Sequence, residues 1–543
     1  MEGLMQDWPL VVPTILDHAA RVHGRTEVVT RLLEGPIHRT NYKEIHSRAR
    51  RVAKALVKLG IKSGDRVGTS GWNTYRHIEA WYGIMGAGAV YHTVNPRLFT
   101  EQISYIVNHA EDRLIFLDTS FVPLFEGLQD SLKSVEGYIV MTDRAHMPAT
   151  RLKNAHCYED LIADLDDDFR WVQVDETEAA GLCYTSGTTG NPKGVLYSHR
   201  STVLHAMAAN NQNALGAGSD DCILPIVPMY HANAWGLIFS APMQGIKLVL
   251  PGQKLDGGSI CELFNTEGVT LSCGVPTVWL NFIQHLETHG TRPAKLRRVV
   301  IGGSACPRAI FEKLELTYGI TVSQLWGMTE MSPVGTTSVL KSGMSDKSFE
   351  DVVPFKLKQG FPIFSVETEI FGSDGRPLPH DAKTFGNLKV RGPAVVKGYF
   401  RGEGGNVLDA DGWFDTGDVA TICPEGYVQI TDRAKDVVKS GGEWISSIEI
   451  ENLAVGHPSV AEAAVIGVHH PKWDERPLLI IAKKPGAEVA KAEMLAFLQG
   501  KIAKWWMPDD VVFVDEIPHT ATGKIQKTAL REQFKSYALP TAS

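Results

Sequence analysis

The chain has 543 residues, of which 43% are hydrophobic and 21% charged, and its formal net charge is −8. That length supports about three or four core-forming units, with no need of metal or disulfide staples. The acidic balance argues against a nucleic-acid binder, whose footprint is a basic domain or stripe. It leaves room for small polyanions held by a local cluster of donors and cations.

The seven cysteines are odd in number and none forms a C-x-x-C pair. They are expected to be reduced core residues of a chain kept in a reducing compartment. The N-terminal run Met-Glu-Gly-Leu-Met-Gln-Asp-Trp lacks the basic-then-apolar order of a secretion signal. No stretch approaches the ~18 apolar residues of a spanning helix. A cytoplasmic protein is expected.

In chain order, residues 42–60 have Ile45, Ala49, Val52, Leu56 and Leu59 near helical spacing and predict an amphipathic helix ended by Gly60. Strands are expected at 113–118, 180–184, 247–250, 269–273 and 298–301, with a helix at 277–288. This alternation implies βαβ units and largely parallel sheets. Residues 340–400 switch to short apolar runs, 366–371 and 387–390, between Gly, Pro and Asp punctuation, which suits a small β-rich subdomain. A boundary is expected near 432–436. Beyond it, helices at 445–455 and 492–505 and strands at 463–467, 478–482 and 511–514 form a unit of their own. The expected fold is α/β: a large domain, 1–432, with parallel-rich sheets and the β subdomain, then a small mobile α+β domain, 433–543.

The strand before Thr185 runs into Thr185-Ser186-Gly187-Thr188-Thr189-Gly190, then Asn-Pro-Lys193-Gly194. Glycines let backbone N–H groups approach an anion. The hydroxyls add donors without charge, and Lys193 supplies a cation. A Walker A loop needs Gly-Lys-Ser/Thr and then a helix. Here Lys193 is followed by Gly194 and the β-prone Val195-Leu196-Tyr197. The loop reads as a phosphate holder of another kind.

With this loop and the motifs that follow it in order, the chain resembles the adenylate-forming superfamily of acyl-CoA synthetases, luciferases and amino-acid-adenylating domains, over nearly its whole length. It looks most similar to bacterial medium- and long-chain fatty acyl-CoA synthetases and to relatives acting on 3-methylthiopropionate.

The resemblance implies ATP, Mg²⁺ and CoA as partners in two half-reactions: acyl-AMP formation, then thioester formation. It places Thr185–Gly190, Gly303, Ser304, Ala305, Trp326, Gly327, Met328 and Thr329 around the nucleotide, with Trp326 stacked on adenine. Asp418, in Trp413-Phe-Asp-Thr-Gly-Asp418, and Arg433 would reach the ribose. Lys435 would be the hinge of the small domain, and Lys439 would also face the nucleotide. Thr185 and Glu330 would hold magnesium, an ion suited to hard oxygen donors. Ser440, Gly441, Gly442, Glu443 and Trp444 would complete the thioester site around CoA. Lys524, in Pro518-His-Thr-Ala-Thr-Gly-Lys524, would join Lys193, Thr329 and Glu330 as catalytic residues of the first step.

The acyl wall is assigned to His231, Trp235, Val275, Pro276, Thr277 and Gly302, together with Trp279. Trp235 would be the gate. The alternative for both tryptophans is ordinary core. The wall reads as apolar and suits an aliphatic acid. A medium- or long-chain fatty acid is the leading expectation, with 3-methylthiopropionate as the alternative acid and a carrier-protein thiol as the alternative acceptor. A homodimer is implied by the relatives. Three departures stand out: Trp326 in place of a common tyrosine, small Ala232 and Gly236 beside the gate, and His519 where lysine is common.

Overall fold

In the computed structural model, all residues are described except 2, 186–190, 442, 521–523 and 543, together with the side chain of Glu443. Two large mixed sheets organise the first two-thirds of the chain. A seven-stranded sheet runs in the order Ala155–Cys157, Gly137–Val140, Asp112–Leu117, Arg66–Ser70, Val90–Thr93, Ala179–Tyr184, Gly194–Ser198. Its neighbours pair in parallel except the last two, which form an antiparallel pair. A nine-stranded sheet carries Leu271–Gly274, Arg298–Gly302 and Thr321–Gly327 side by side in parallel. Antiparallel strands close both of its ends.

The main core lies between these sheets. The helix Tyr75–Gly86 is buried along its whole length. Its Trp81 stacks on Tyr91 of one sheet at 4.4 Å and on Phe239 at 6.0 Å. The amphipathic helix expected from residue 42 is Tyr42–Lys58, capped by Asn41, whose side chain accepts from the Glu44 N–H. It packs so closely on the core helix that a Cβ on Gly83 would meet Val52 at 2.6 Å. Parallel strands covered on both faces need apolar residues at successive positions, which is why Leu114–Leu117 and Val299–Ile301 were legible as strands.

The β-rich segment is broader than expected. Its four antiparallel strands, Glu367–Phe371, Gly386–Arg391, Phe414–Ile422 and Val428–Arg433, extend past residue 400. The segment before them also holds a helix, Phe349–Lys356, capped by Ser348.

Residues beyond 437 form a five-stranded sheet with two apolar clusters on its faces. Here the expected helices change. Residues 443–445 are a strand, and the helix begins at Ser447, after Ser446 caps it through the Glu449 N–H. The helix expected at 492–505 is Lys491–Leu498, because the chain turns at Gly500 with φ +78° before a short 3₁₀ turn at Lys504–Trp506. The helix Lys527–Gln533 had no counterpart in the sequence reading.

Candidate active site

The phosphate-loop candidate falls between two antiparallel strands, Ala179–Tyr184 and Gly194–Ser198. Tyr184 pairs with Gly194 across the antiparallel strands. The Thr185 N–H donates to the Lys193 carbonyl at 2.9 Å, and the Lys193 N–H donates to the Thr185 hydroxyl at 3.1 Å. Ser186, Gly187, Thr188, Thr189 and Gly190 lie outside the described residues. The Lys193 ammonium sits 4.9 Å above the ring of Tyr399.

Facing this hairpin is the end of the strand Thr321–Gly327. Its pairing shifts register at Trp326/Gly327. A Cβ on Gly327 would fall 1.8 Å from the Pro333 carbonyl, so only glycine fits there. The Met328 N–H donates to that same carbonyl at 3.0 Å. Thr329 and Glu330 follow in a short 3₁₀ turn, both buried. The Tyr197 hydroxyl donates to the Thr329 carbonyl at 2.6 Å, and the Tyr399 hydroxyl donates to Glu330 Oε1 at 2.7 Å.

Trp326 is tied to the β subdomain. Its indole N–H donates to Asp418 Oδ2 at 3.1 Å, and the other Asp418 oxygen pairs with Arg433 Nε at 2.9 Å. The tryptophan at this position therefore brings a donor that reaches the Asp418 carboxylate. Burial pushes the Asp418 carboxyl above its ordinary range, while the Arg433 guanidinium and the indole N–H pull it back. Arg433 also donates to the Thr416 carbonyl at 3.0 Å.

Lys524 joins the same cluster. The residue keeps access to solvent, yet enough protein surrounds its ammonium to lower its pKa. The Arg433 charge adds to that effect, and Asp418 and Glu330 oppose it. His231 lies on the far side of this charge. Burial first, and then Lys524, push its imidazole down to about 4. It is neutral at pH 7.

Two of the acyl-wall candidates, Trp235 and Gly302, are in contact. A Cβ on Gly302 would stand 2.9 Å from the Trp235 ring and 2.7 Å from the Leu325 carbonyl. Gly303, at φ +85°, packs beside Val275, with Pro276 buried and Thr277 exposed at the start of the next helix. Ser304 is exposed and Ala305 half-buried. Trp279 is fully buried in the second core, 6.0 Å from Phe282 between ring centroids, and Gly274 abuts its indole.

Trp235 is held by an unusual backbone. Ala232, Asn233, Ala234, Trp235 and Gly236 all have positive φ, from 45° to 78°. Left-handed backbone costs L-residues roughly 1–2 kcal/mol each, so surrounding packing must hold this turn. His205 does part of that. Its Nε2 accepts from the Val334 N–H at 3.0 Å, and a Cβ on Gly236 would lie 2.8 Å from its ring. The small residues beside the gate thus permit the turn.

A family model described as AMP-binding enzyme matches residues 16–400, and one for the AMP-binding enzyme C-terminal domain matches residues 449–524. The chain belongs to the AMP-binding enzyme family. It is 49% identical to 3-methylmercaptopropionyl-CoA ligase of Ruegeria lacuscaerulensis, over 98% of this chain and 99% of the relative. It is 46% identical to medium-chain-fatty-acid–CoA ligase of Ectopseudomonas oleovorans, over 100% of this chain and 99% of the relative. The fold matches the crystal structure of an anthranilate-CoA ligase in complex with anthranoyl-AMP. The TM-score is 0.85 at 24% identity, covering 97% of this chain and 99% of that one.

In this AMP-binding enzyme the C-terminal motifs occupy distinct places. Lys435 sits in a turn where the N–H groups of Asp436 and Val437 both donate to the Arg433 carbonyl. Lys439 donates its N–H to Glu475, and the Ser440 hydroxyl is held by Arg476. Gly441, at φ +59°, is backed by Trp473, whose ring a Cβ would meet at 3.0 Å. Gly442 lies outside the described residues, Glu443 pairs as strand with Ser440, and Trp444 is half-buried.

His519 also has a defined partner: its Nε2 lies 3.3 Å from Glu462. Glu462 raises its pKa through a hydrogen bond, partial burial opposes, and the Ile517 carbonyl and Glu516 add to the rise. This anchor of the Lys524 segment is complete below pH ~6.5 and is lost as pH rises through the elevated value. A half-exposed pair is worth under about 1 kcal/mol. Adenylation should therefore fall by up to about fivefold toward alkaline pH. His519→Lys, which stays charged, should flatten that limb in pH profiles of acyl-AMP formation.

Sequence reasoning missed Tyr399, Tyr197 and His205. Each touches a named site residue across the fold. The aromatic run Lys397-Gly-Tyr-Phe400 was the only local signal for the first of them.

Proposed function

We propose that this AMP-forming acid–thiol ligase activates an aliphatic carboxylic acid and passes it to CoA. A medium- or long-chain fatty acid is the leading substrate class. The observation that carries this reading is the apolar packing of Trp235 at Gly302 and of Val275 at Gly303, with His231 kept neutral by burial. A pocket of that kind favours an alkyl chain over a second charge.

In the proposed first step, Lys524 offsets negative charge where the carboxylate meets the α-phosphate, and Lys193 with the Thr185 loop retains pyrophosphate. Trp326 and Asp418 hold adenine and ribose. Glu330 and Thr185 present a carboxylate and a hydroxyl, a hard-oxygen donor set suited to magnesium, which would supply neutralisation of the phosphate charge. In the proposed second step the domain beyond Lys435 turns, Lys524 leaves, and the Gly441 segment admits the CoA thiol. No protein nucleophile is required.

A second acid, 3-methylmercaptopropionate, is favoured by two observations. One is the 49% identity to a ligase named for it. The other is the contact of the Trp235 ring with Gly302, which leaves no room there for even a methyl group.

AMP release measured over an acid panel from propionate and 3-methylmercaptopropionate to palmitate tests both readings. A maximum at C6 or longer supports the first, and a maximum at the thioether acid supports the second. Activity only with dicarboxylic or amino acids would sink both. Acyl-AMP that forms but releases no AMP when CoA is added would point to a carrier-protein thiol. All seven thiols are buried and unpaired, which supports a cytoplasmic setting. We propose a homodimer in solution, to be read by mass measurement.

A further inference from the structure

We propose that Tyr399 is a positioning residue of the adenylation half-reaction, orienting the Glu330 carboxylate through its hydroxyl and the Lys193 ammonium through its ring. The proposal rests on the reading of Glu330 as the metal-facing carboxylate and Lys193 as the pyrophosphate-facing cation.

One side chain touches both groups. The hydroxyl donates to Glu330 Oε1 at 2.7 Å, and Lys193 Nζ stands 4.9 Å from the ring centroid. Nζ also adjoins Gly404, where a Cβ would come within 3.3 Å of it and 3.8 Å of the Tyr399 ring. The ammonium thus lies beside a π face and a stretch of bare backbone. Tyr399 is itself fixed, with Phe414 edge-on at 6.5 Å and the buried cluster of Cys183, Val195 and Tyr197 behind it. The Val396 N–H donates to the Glu330 carbonyl at 2.8 Å, so the segment carrying Tyr399 and the turn carrying Glu330 are joined by backbone as well.

The physical need is clear. Free Glu and Lys side chains lose much rotamer entropy when they are ordered around a ligand. A hydroxyl donating to a carboxylate makes a charge-assisted bond that fixes one oxygen and leaves the other to aim. A cation above an aromatic face is held without a counter-charge, so it remains free to meet phosphate.

The test compares Tyr399→Phe, Tyr399→Leu and Glu330→Gln with the unmodified enzyme. Mn²⁺ binding in the presence of a non-hydrolysable ATP analogue is read by electron paramagnetic resonance, and each half-reaction is assayed separately. Tyr399→Phe keeps the ring and frees the carboxylate. Its Mn²⁺ half-saturation should rise roughly tenfold, the effect of losing one hydrogen bond to a charged group. Its inhibition by pyrophosphate should stay unchanged. Tyr399→Leu should show the same metal defect and also weaker pyrophosphate inhibition. Both should convert supplied acyl-AMP to thioester normally.

If Glu330→Gln weakens Mn²⁺ binding and Tyr399→Phe does not, Tyr399 does not position the carboxylate. If Glu330→Gln itself leaves binding intact, the underlying assignment of Glu330 fails. Equal losses in both half-reactions would mark general packing damage and overturn the proposal as well.

Discussion

Lys524→Ala is expected to lower acid-dependent exchange of pyrophosphate into ATP by at least about 10²–10³-fold, the range seen when one preorganised charge-stabilising donor is removed. The same protein should convert supplied acyl-AMP and CoA to thioester within a few-fold of the normal rate. The asymmetry follows from the position of the ammonium. It stands among Asp418, Arg433, Glu330 and His231, where a carboxylate and a triphosphate would bring two anions together. It comes from the last motif of the chain, beyond the Lys435 turn, so it can be present for one step and absent for the other. The residue keeps access to solvent, and truncating it should leave the melting temperature unchanged. Normal exchange in the variant would remove Lys524 from the chemistry.

Asp418→Asn is the second large effect. The carboxylate is buried, and it already accepts from Trp326 and pairs with Arg433. A ribose adds two further donors. An amide offers one acceptor oxygen where the carboxylate offers two, and its NH₂ group would face Arg433 or the indole N–H as a donor against a donor. Losing two charge-assisted bonds should raise the KM for ATP by about 10²-fold. The ribose is remote from the reacting phosphorus, so kcat should change much less, as for an interaction made equally in ground and transition states. Steady-state kinetics in ATP decide this. A fall in kcat with KM unchanged would place Asp418 at the reacting centre instead.

The outcomes at individual residues show where sequence reading stopped. The Thr185–Gly194 loop was proposed as a phosphate site from local chemistry alone: consecutive hydroxyls, glycines and one lysine suit phosphate wherever the loop lies. Parallel strands were legible for the same reason, since burial on both faces demands apolar residues in a row. The helix expected through residue 505 was not, because its apolar pattern ran on past the turn at Gly500. The departure at Trp326 was read only as a tryptophan in place of a common tyrosine. Only the fold brought Asp418, 92 residues away, within reach of the indole N–H.

By itself, the sequence set the Thr185–Gly194 loop apart from the Walker A pattern, and its ordered motifs pointed to adenylate formation and to Lys524, Asp418 and Glu330. Tertiary structure alone decided three further features. Tyr399 links Glu330 to Lys193, His519 is paired with Glu462, and a run of left-handed backbone sets Trp235 against Gly302. The physical reason is common to all three. Each depends on contacts between residues far apart in the chain, and sequence spacing carries no information about which distant side chains will share a cleft.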